Sequence, residues 1–158
     1  MRNLLKLSLF TFLAFSVFTA CKQNEVSYPD PSIQFAKDTA AIKKYIADSI
    51  PAVMHESGVF YVRKSVGGGD GNYSNSSQVE IKYTGKIMGS ATPFDSGTHT
   101  FYLGQLIPGM QIGIPLVREG GKIRILIPSY WGYGVRGSGS IPPNSILDFE
   151  VEVIDIKN

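Results

Sequence analysis

The stretch Pro128–Val153, "PSYWGYGVRGSGSIPPNSILDFEVEV", runs from an aromatic, glycine-rich segment through a Pro-Pro pair into a strictly alternating run. In that run Leu147, Phe149, Val151 and Val153 alternate with Asp148, Glu150 and Glu152, the period-two pattern of a strand with one buried and one wet face. The segment before it is harder to read. Trp131 and Tyr133 in a glycine loop are hydrophobic surface without a purpose unless they line something.

Working outward, the same periodicity recurs. "QVEIKYTG" sets Val79, Ile81 and Tyr83 against Glu80, Lys82 and Thr84, and "GKIRILIPS" sets Ile123, Ile125 and Ile127 against Lys122 and Arg124. "GVFYVRK" (Gly58–Lys64) and the shorter "HTFYLG" also read as strands. Between strands, "QLIPGMQIGIPLVREG" predicts a buried helix of about two turns, with Pro108 at its start and Pro115 ending it. "SVGGGDGNYSNSS" reads as a long flexible loop; no Gly-Lys-Ser/Thr follows its glycines, so a phosphate-binding reading fails. Antiparallel strands with one short helix predict an α+β domain whose sheet wraps that helix.

Ahead of this domain, "IQFAKDTAAIKKYIADSI" places Ile42, Tyr45, Ile46 and Ser49 at helical spacing, with Asp38 as a capping candidate and Pro51 beyond the end. This N-terminal helical extension, Phe35 to Ile50, either docks on the main domain or pairs with a second copy as a homodimer. "KQNEVSYPDPS" (Lys22–Ser32) is polar with two prolines and reads as a tether. The first residues, "MRNLLKLSLFTFLAFSVFTAC", have a basic start, an apolar run from Leu7 to Phe18, small Thr19 and Ala20, and the only cysteine, Cys21. Such a run is short for a membrane span and has signal-peptide proportions. It resembles the lipobox of bacterial lipoproteins, with Phe18 where an aliphatic residue is usual. That resemblance implies lipidation at Cys21, a membrane anchor, and a place in the bacterial cell envelope, on the outer membrane facing the periplasm. The expected organisation is a signal peptide over 1–20, a tether and helix over 21–54, and the main domain over 55–158.

The chain of 158 residues has a formal charge of +2, and both excess positives, Arg2 and Lys6, sit in the leader. The remainder is balanced, so no basic field for nucleic acid is present. One cysteine excludes an internal disulfide, and His55 and His99 lack metal-ligand spacing with a Cys or acidic partner. No Gly-x-Ser-x-Gly elbow occurs, and Glu150 and Glu152 are the wet side of a strand. A hydrolase or metalloenzyme is not indicated, and neither a metal nor a cofactor is expected.

Taken in order, "VEIKYTGKI", "PFDSG", "FYLGQLIPGM", "GIPLVREGGKIRILIP", Gly132-Tyr133-Gly134 and "IPPNSILDFEVEVIDI" resemble the FKBP family, macrolide-binding immunophilins with peptidyl-prolyl cis–trans isomerase (rotamase) activity. The resemblance covers roughly Gly58 to Ile156. It implies a twisted antiparallel β half-barrel wrapped around one short α-helix, with a proline pocket between them. It further implies that Tyr83, Phe94, Leu106, Met110 and Ile141 bind substrate, and that Tyr133, Asp95, Phe149 and Ile107 carry the reaction. In that assignment the Tyr133 hydroxyl and the Ile107 N–H hold substrate carbonyls, and Asp95 accepts a hydrogen bond from Tyr83 rather than acting as a base. Two positions depart from the family. Met110 stands where a tryptophan usually floors the pocket, and His99 where an aromatic is common.

The resemblance therefore implies an isomerase for proline-containing polypeptides that assists protein folding in the envelope and takes macrolide inhibitors. The alternative is a non-catalytic module that docks proline segments as a subunit of an envelope machine, such as the gliding-motility lipoproteins that share the family. Met110 favours that alternative; Tyr133, Asp95 and Phe149 together favour the enzyme.

Overall fold

The computed structural model describes residues 30–47 and 49–158. The expected leader, Cys21 and most of the tether lie outside the described residues.

Six strands form one antiparallel sheet: β1 (Val53–Met54), β2 (Phe60–Ser65), β3 (Gln78–Ile87), β4 (Pro93–Tyr102), β5 (Lys122–Ile127) and β6 (Leu147–Lys157), in the spatial order β1-β2-β5-β6-β3-β4. The alternating run of the sequence is thus a central strand, paired with β5 on one side and β3 on the other. Its inward residues Leu147, Phe149, Val151 and Val153 join Ile123, Ile125, Ile127, Val79 and Ile81 in the main core. The alternation shifts phase at the end. A bulge opposite Glu80 and Ile81 leaves Ile154 exposed and turns Ile156 inward.

The short helix α2 (Pro108–Gly113) lies against this core and continues as a 3-10 turn over Ile114–Leu116. Pro115 cannot donate the next helical hydrogen bond, so the α-helix stops before it, as expected. Gly109 and Gly113, one helical turn apart, face β5. A Cβ on Gly113 would stand 2.5 Å from the Ile125 Cδ1, and one on Gly109 would clash with Ile127. Backbone therefore rests directly on the β5 side chains.

The other face of the sheet is partly covered by α1 (Pro31–Ile46). The helix starts four residues earlier than the sequence predicts and ends four earlier. Asp30, not Asp38, caps it, accepting from the Ser32 N–H at 2.9 Å, and Pro31 occupies the first turn, where its missing N–H costs nothing. Ala47 leaves helical geometry, so Ser49 falls outside the helix and is exposed. Ile42 and Ile46 pack on Phe60 and Leu126 of the same chain, so this part of the apolar stripe docks on the main domain. Burial of this kind stabilises by about 1.5–3 kcal/mol per side chain. Tyr45 stays at the margin, 5.9 Å from the guanidinium of Arg124. That guanidinium makes a fork with Asp148, Nε–Oδ1 2.8 Å and Nη2–Oδ2 2.6 Å, which raises its pKa further above its ordinary value.

Two further expectations change. The strand read as "HTFYLG" is ten residues long and begins at Pro93, because β4 is an edge strand whose polar residues give no alternation. Just ahead of the expected boundary at residue 55, Val53 and Met54 pair with Tyr61 and Phe60. The glycine loop, read as flexible, is pinned: Arg118 N–H donates to Val66 O at 2.7 Å and Glu119 N–H to Asp70 O at 2.9 Å, while the Asp70 carboxylate accepts from Gly71 and Asn72.

Candidate functional site

On the α2 side of the sheet, strands and loops converge on a cleft of about 310 Å³. β3 supplies Ile81 and Tyr83, β4 supplies Phe94, Asp95 and Phe101, and β6 supplies Phe149. Leu106, Ile107 and Met110 come from the turn into α2 and its first residues, and Tyr133 from the glycine-rich loop.

The aromatic wall follows from strand register. Gly85 of β3 stands opposite Phe149 of β6 and Asp95 of β4. Its missing side chain leaves room for Phe149 and Phe94, which meet edge to face at 5.6 Å and 81°. Tyr83 lies 6.4 Å from Phe149 and 6.0 Å from Phe101. Met110, 3% exposed, completes the apolar lining.

The polar groups are few and aimed. The Tyr83 hydroxyl donates to Asp95 Oδ2 at 2.7 Å. Burial first, then this bond and the Asp95 charge, push the Tyr83 phenol up to about 12. Burial and Asp95 also raise the Tyr133 phenol, so both remain hydroxyl donors at neutral pH. Tyr83 is thereby committed to Asp95, whereas the Tyr133 hydroxyl has no protein partner among the described residues. At the turn into α2, Gln111 Nε2 donates to Leu106 O at 2.6 Å, and Met110 and Gln111 N–H groups donate to Ile107 O. The Ile107 N–H, ahead of the first helical turn, has no acceptor among the described residues. Two donors without a protein partner among the described residues thus border an apolar cleft whose carboxylate, Asp95, is engaged by the Tyr83 hydroxyl.

Tyr133 is held by a built loop. Ser129–Trp131 forms a 3-10 turn, with Trp131 N–H to Pro128 O at 2.9 Å and Gly132 N–H to Ser129 O at 3.0 Å. Gly137 takes φ +66° where a side chain would clash with the Ile141 carbonyl. Trp131 and Tyr133 part company here: Tyr133 borders the cleft, while the Trp131 indole N–H donates to Ser57 O at 2.9 Å.

Eight of the nine protein residues assigned by resemblance, Tyr83, Phe94, Asp95, Leu106, Ile107, Met110, Tyr133 and Phe149, line this one cleft. Ile141 does not. It is packed in the main core, where its backbone pairs with Ser138. His99 is exposed on β4, 6.3 Å from the Tyr83 ring. Cys21 lies outside the described residues. Ile81, Phe101 and Gln105 also line the cleft. Ile81 was readable as inward-facing, but a strand pattern does not separate core from cleft; Gln105 carried no signal. Among the described residues no cluster of His, Cys, Asp and Glu could hold a metal ion, and no helix is long and apolar enough to cross a membrane.

Residues 69–154 match the sequence profile of FKBP-type peptidyl-prolyl cis-trans isomerases. A probable FKBP-type peptidyl-prolyl cis-trans isomerase of Haemophilus influenzae is 42% identical over 107 residues, 64% of this chain and 44% of the relative. A Neisseria meningitidis protein named FK506-binding protein is 40% identical over 87 residues, 50% of this chain and 79% of that one. The crystal structure of FkpA from Escherichia coli superposes with a TM-score of 0.70 at 30% identity, over 81% of this chain and 61% of that one. Against the Haemophilus influenzae relative, the chain spans less than half the length.

Proposed function

Because the chain belongs to the FKBP-type peptidyl-prolyl cis-trans isomerase family, we propose that its cleft catalyses rotation about Xaa-Pro peptide bonds in proline-containing polypeptides. The observation that carries the proposal is the pairing of an aromatic-walled apolar cleft with two free donors, the Tyr133 hydroxyl and the Ile107 N–H.

No bond is made or broken in this reaction. The barrier is amide resonance, about 18–20 kcal/mol, and uncatalysed prolyl isomerisation takes tens to hundreds of seconds. As the C–N bond twists, resonance is lost, the carbonyl becomes less polar and the nitrogen more pyramidal. Phe94, Phe149, Met110 and Tyr83 offer no solvation to the planar, strongly dipolar ground state, so the apolar surround favours the twisted form. The Tyr133 hydroxyl and Ile107 N–H hold carbonyls of the chain and keep it from sliding during rotation. Asp95 fixes the Tyr83 ring through its hydroxyl and orients the wall; it takes no proton.

Macrolide inhibitors compete for the same cleft in this reading, supported by the name of the Neisseria meningitidis relative. Lipidation of Cys21 would hold the domain at an envelope membrane, with secreted and membrane proteins as clients; the support is the leader sequence alone. Metabolic labelling with a fatty acid tests it, and label retained in Cys21→Ser would refute it.

A protease-coupled assay on an Xaa-Pro peptide tests the activity. Acceleration of cis-to-trans conversion in proportion to protein concentration is expected. The second reading, a docking module, draws on Met110, a flexible side chain at the cleft's base. Peptide binding without acceleration would establish it and overturn the enzyme.

A further inference from the structure

Helix α1 carries more than apolar contacts. Phe35, Asp38, Ile42 and Ile46 fall at helical spacing along one side. Ile42 and Ile46 already supply the docking surface, and Phe35 closes over Gly58. Asp38 is of another kind. It is 3% exposed, and none of the ion pairs among the described residues includes it. A carboxylate in such a place is tolerated only when its lone pairs are matched. They are: Oδ2 accepts from the Ser129 N–H at 2.8 Å and the Ser129 hydroxyl at 2.5 Å, and Oδ1 accepts from Gln34 Nε2 at 2.7 Å.

Ser129 opens the 3-10 turn Ser129–Trp131, four residues ahead of Tyr133. The first N–H groups of such a turn need an acceptor, ordinarily a side chain at its own cap. Here the preceding residue is Pro128, which makes no side-chain cap, and a carboxylate from a distant helix fills the position. The constraint passes along the turn through Gly132 N–H to Ser129 O and is braced by the Trp131 indole on Ser57 O.

We propose that α1 is a positioning element for the cleft: Asp38 caps the Ser129 turn from outside and thereby sets the Tyr133 hydroxyl at the cleft's edge. The kinetic part of this inference rests on the isomerase reading; the geometric part does not. A leucine at position 38 would pack as well and cap nothing, so Asp38→Leu separates the two roles. Asp38→Asn retains an acceptor for Ser129, and the Gln34 amide can turn its oxygen toward the new NH₂, so it serves as the rescue.

The chain contains one tryptophan, Trp131, inside the turn itself. Its emission therefore reports on the turn whether or not the protein is an enzyme. In Asp38→Leu we expect red-shifted Trp131 emission, and a KM for an Xaa-Pro peptide raised about tenfold with kcat little changed, because a displaced Tyr133 hydroxyl no longer holds the substrate carbonyl in either the ground or the twisted state. Mere loss of folded protein would lower kcat at constant KM. Asp38→Asn should return both readouts close to wild type. If the wild type shows no turnover, the isomerase reading falls, and the emission alone decides the inference. Should Asp38→Leu fail to fold, Ser129→Ala, which removes only the hydroxyl bond, gives smaller shifts in the same direction. Cooperative melting with wild-type emission and wild-type KM, in Asp38→Leu or in Ser129→Ala, overturns the proposal.

Discussion

Gly85→Ala tests the packing that opens the cleft. The residue lies in β3, outside the positive-φ glycines, so its backbone accommodates alanine. The obstacle is the Cβ itself, which would stand 2.6 Å from Phe149 Cε1 and 2.8 and 2.9 Å from Phe94 Cζ and Cε2. Carbon atoms rest at about 3.5–4.0 Å, so both rings must retreat by roughly 1 Å. Phe149 is 5% exposed and wedged against Tyr83 and Phe94, so the cleft it lines is the direction left to it. Overpacking of this sort costs about 1–3 kcal/mol, offset by about 0.5–1 kcal/mol from replacing a strand glycine. A net loss of about 1–2 kcal/mol is expected in urea denaturation. The retreating rings intrude on the cleft, so kcat/KM for an Xaa-Pro peptide should fall by at least about tenfold, since misplacements near 1 Å can cost on the order of a hundredfold. Gly68→Ala, where an added Cβ meets nothing within 4 Å, is the control and should leave both quantities unchanged. Wild-type stability and turnover in Gly85→Ala would refute the reasoning, showing that the rings yield freely.

Tyr133→Phe keeps the ring and loses a hydroxyl with no protein partner, so stability should hold while peptide binding weakens by about 0.5–1.5 kcal/mol, measured by calorimetry. Met110→Trp should raise macrolide affinity and turnover if the floor has room; overpacking costs about 1–3 kcal/mol, so the melting temperature is followed in parallel, and a stable variant with no gain would exclude Met110 as the limiting residue. In an alkaline absorbance titration, the Tyr83 and Tyr73 phenols, both pushed up to about 12, should ionise well above the free phenol's value of about 10. A phenol raised on folding stabilises the native state fully below pH about 10, and that contribution is lost as pH climbs through about 12. Asp95→Asn should bring the Tyr83 step down toward its ordinary value and leave Tyr73 unmoved.

How far the sequence spoke depended on whether a residue's environment repeats. β6, β3 and β5 were legible because one face is wet and the other dry, and alternation records that difference residue by residue. The first part of β4, Pro93–Thr98, escaped because an edge strand of Thr, Ser and Gly residues has no such contrast. The bulge at Ile154 shifts the pattern by one residue, which no periodicity announces. Most of the cleft was readable by family resemblance, since its residues sit within recognisable motifs. Ile141 belonged to such a motif too, but its apolar side chain serves the core, and only packing distinguishes the two fates. Asp38 reads as a helix cap in the sequence, since acids favour helix starts; its partner Ser129 lies ninety-one residues away in the chain, beyond the reach of any local signal.

The position of β6 has a consequence for how the chain comes into being. Being last of the strands in sequence yet interior in the sheet, it is the bridge between β2-β5 on one side and β3-β4 on the other. Until Leu147–Lys157 has left the ribosome, the two halves have open edges and nothing to join them. Closure then depends on contacts between distant parts of the chain, which slows it. A nascent chain of this topology cannot complete its sheet before β6 has emerged, so its two halves wait with unpaired edges until then.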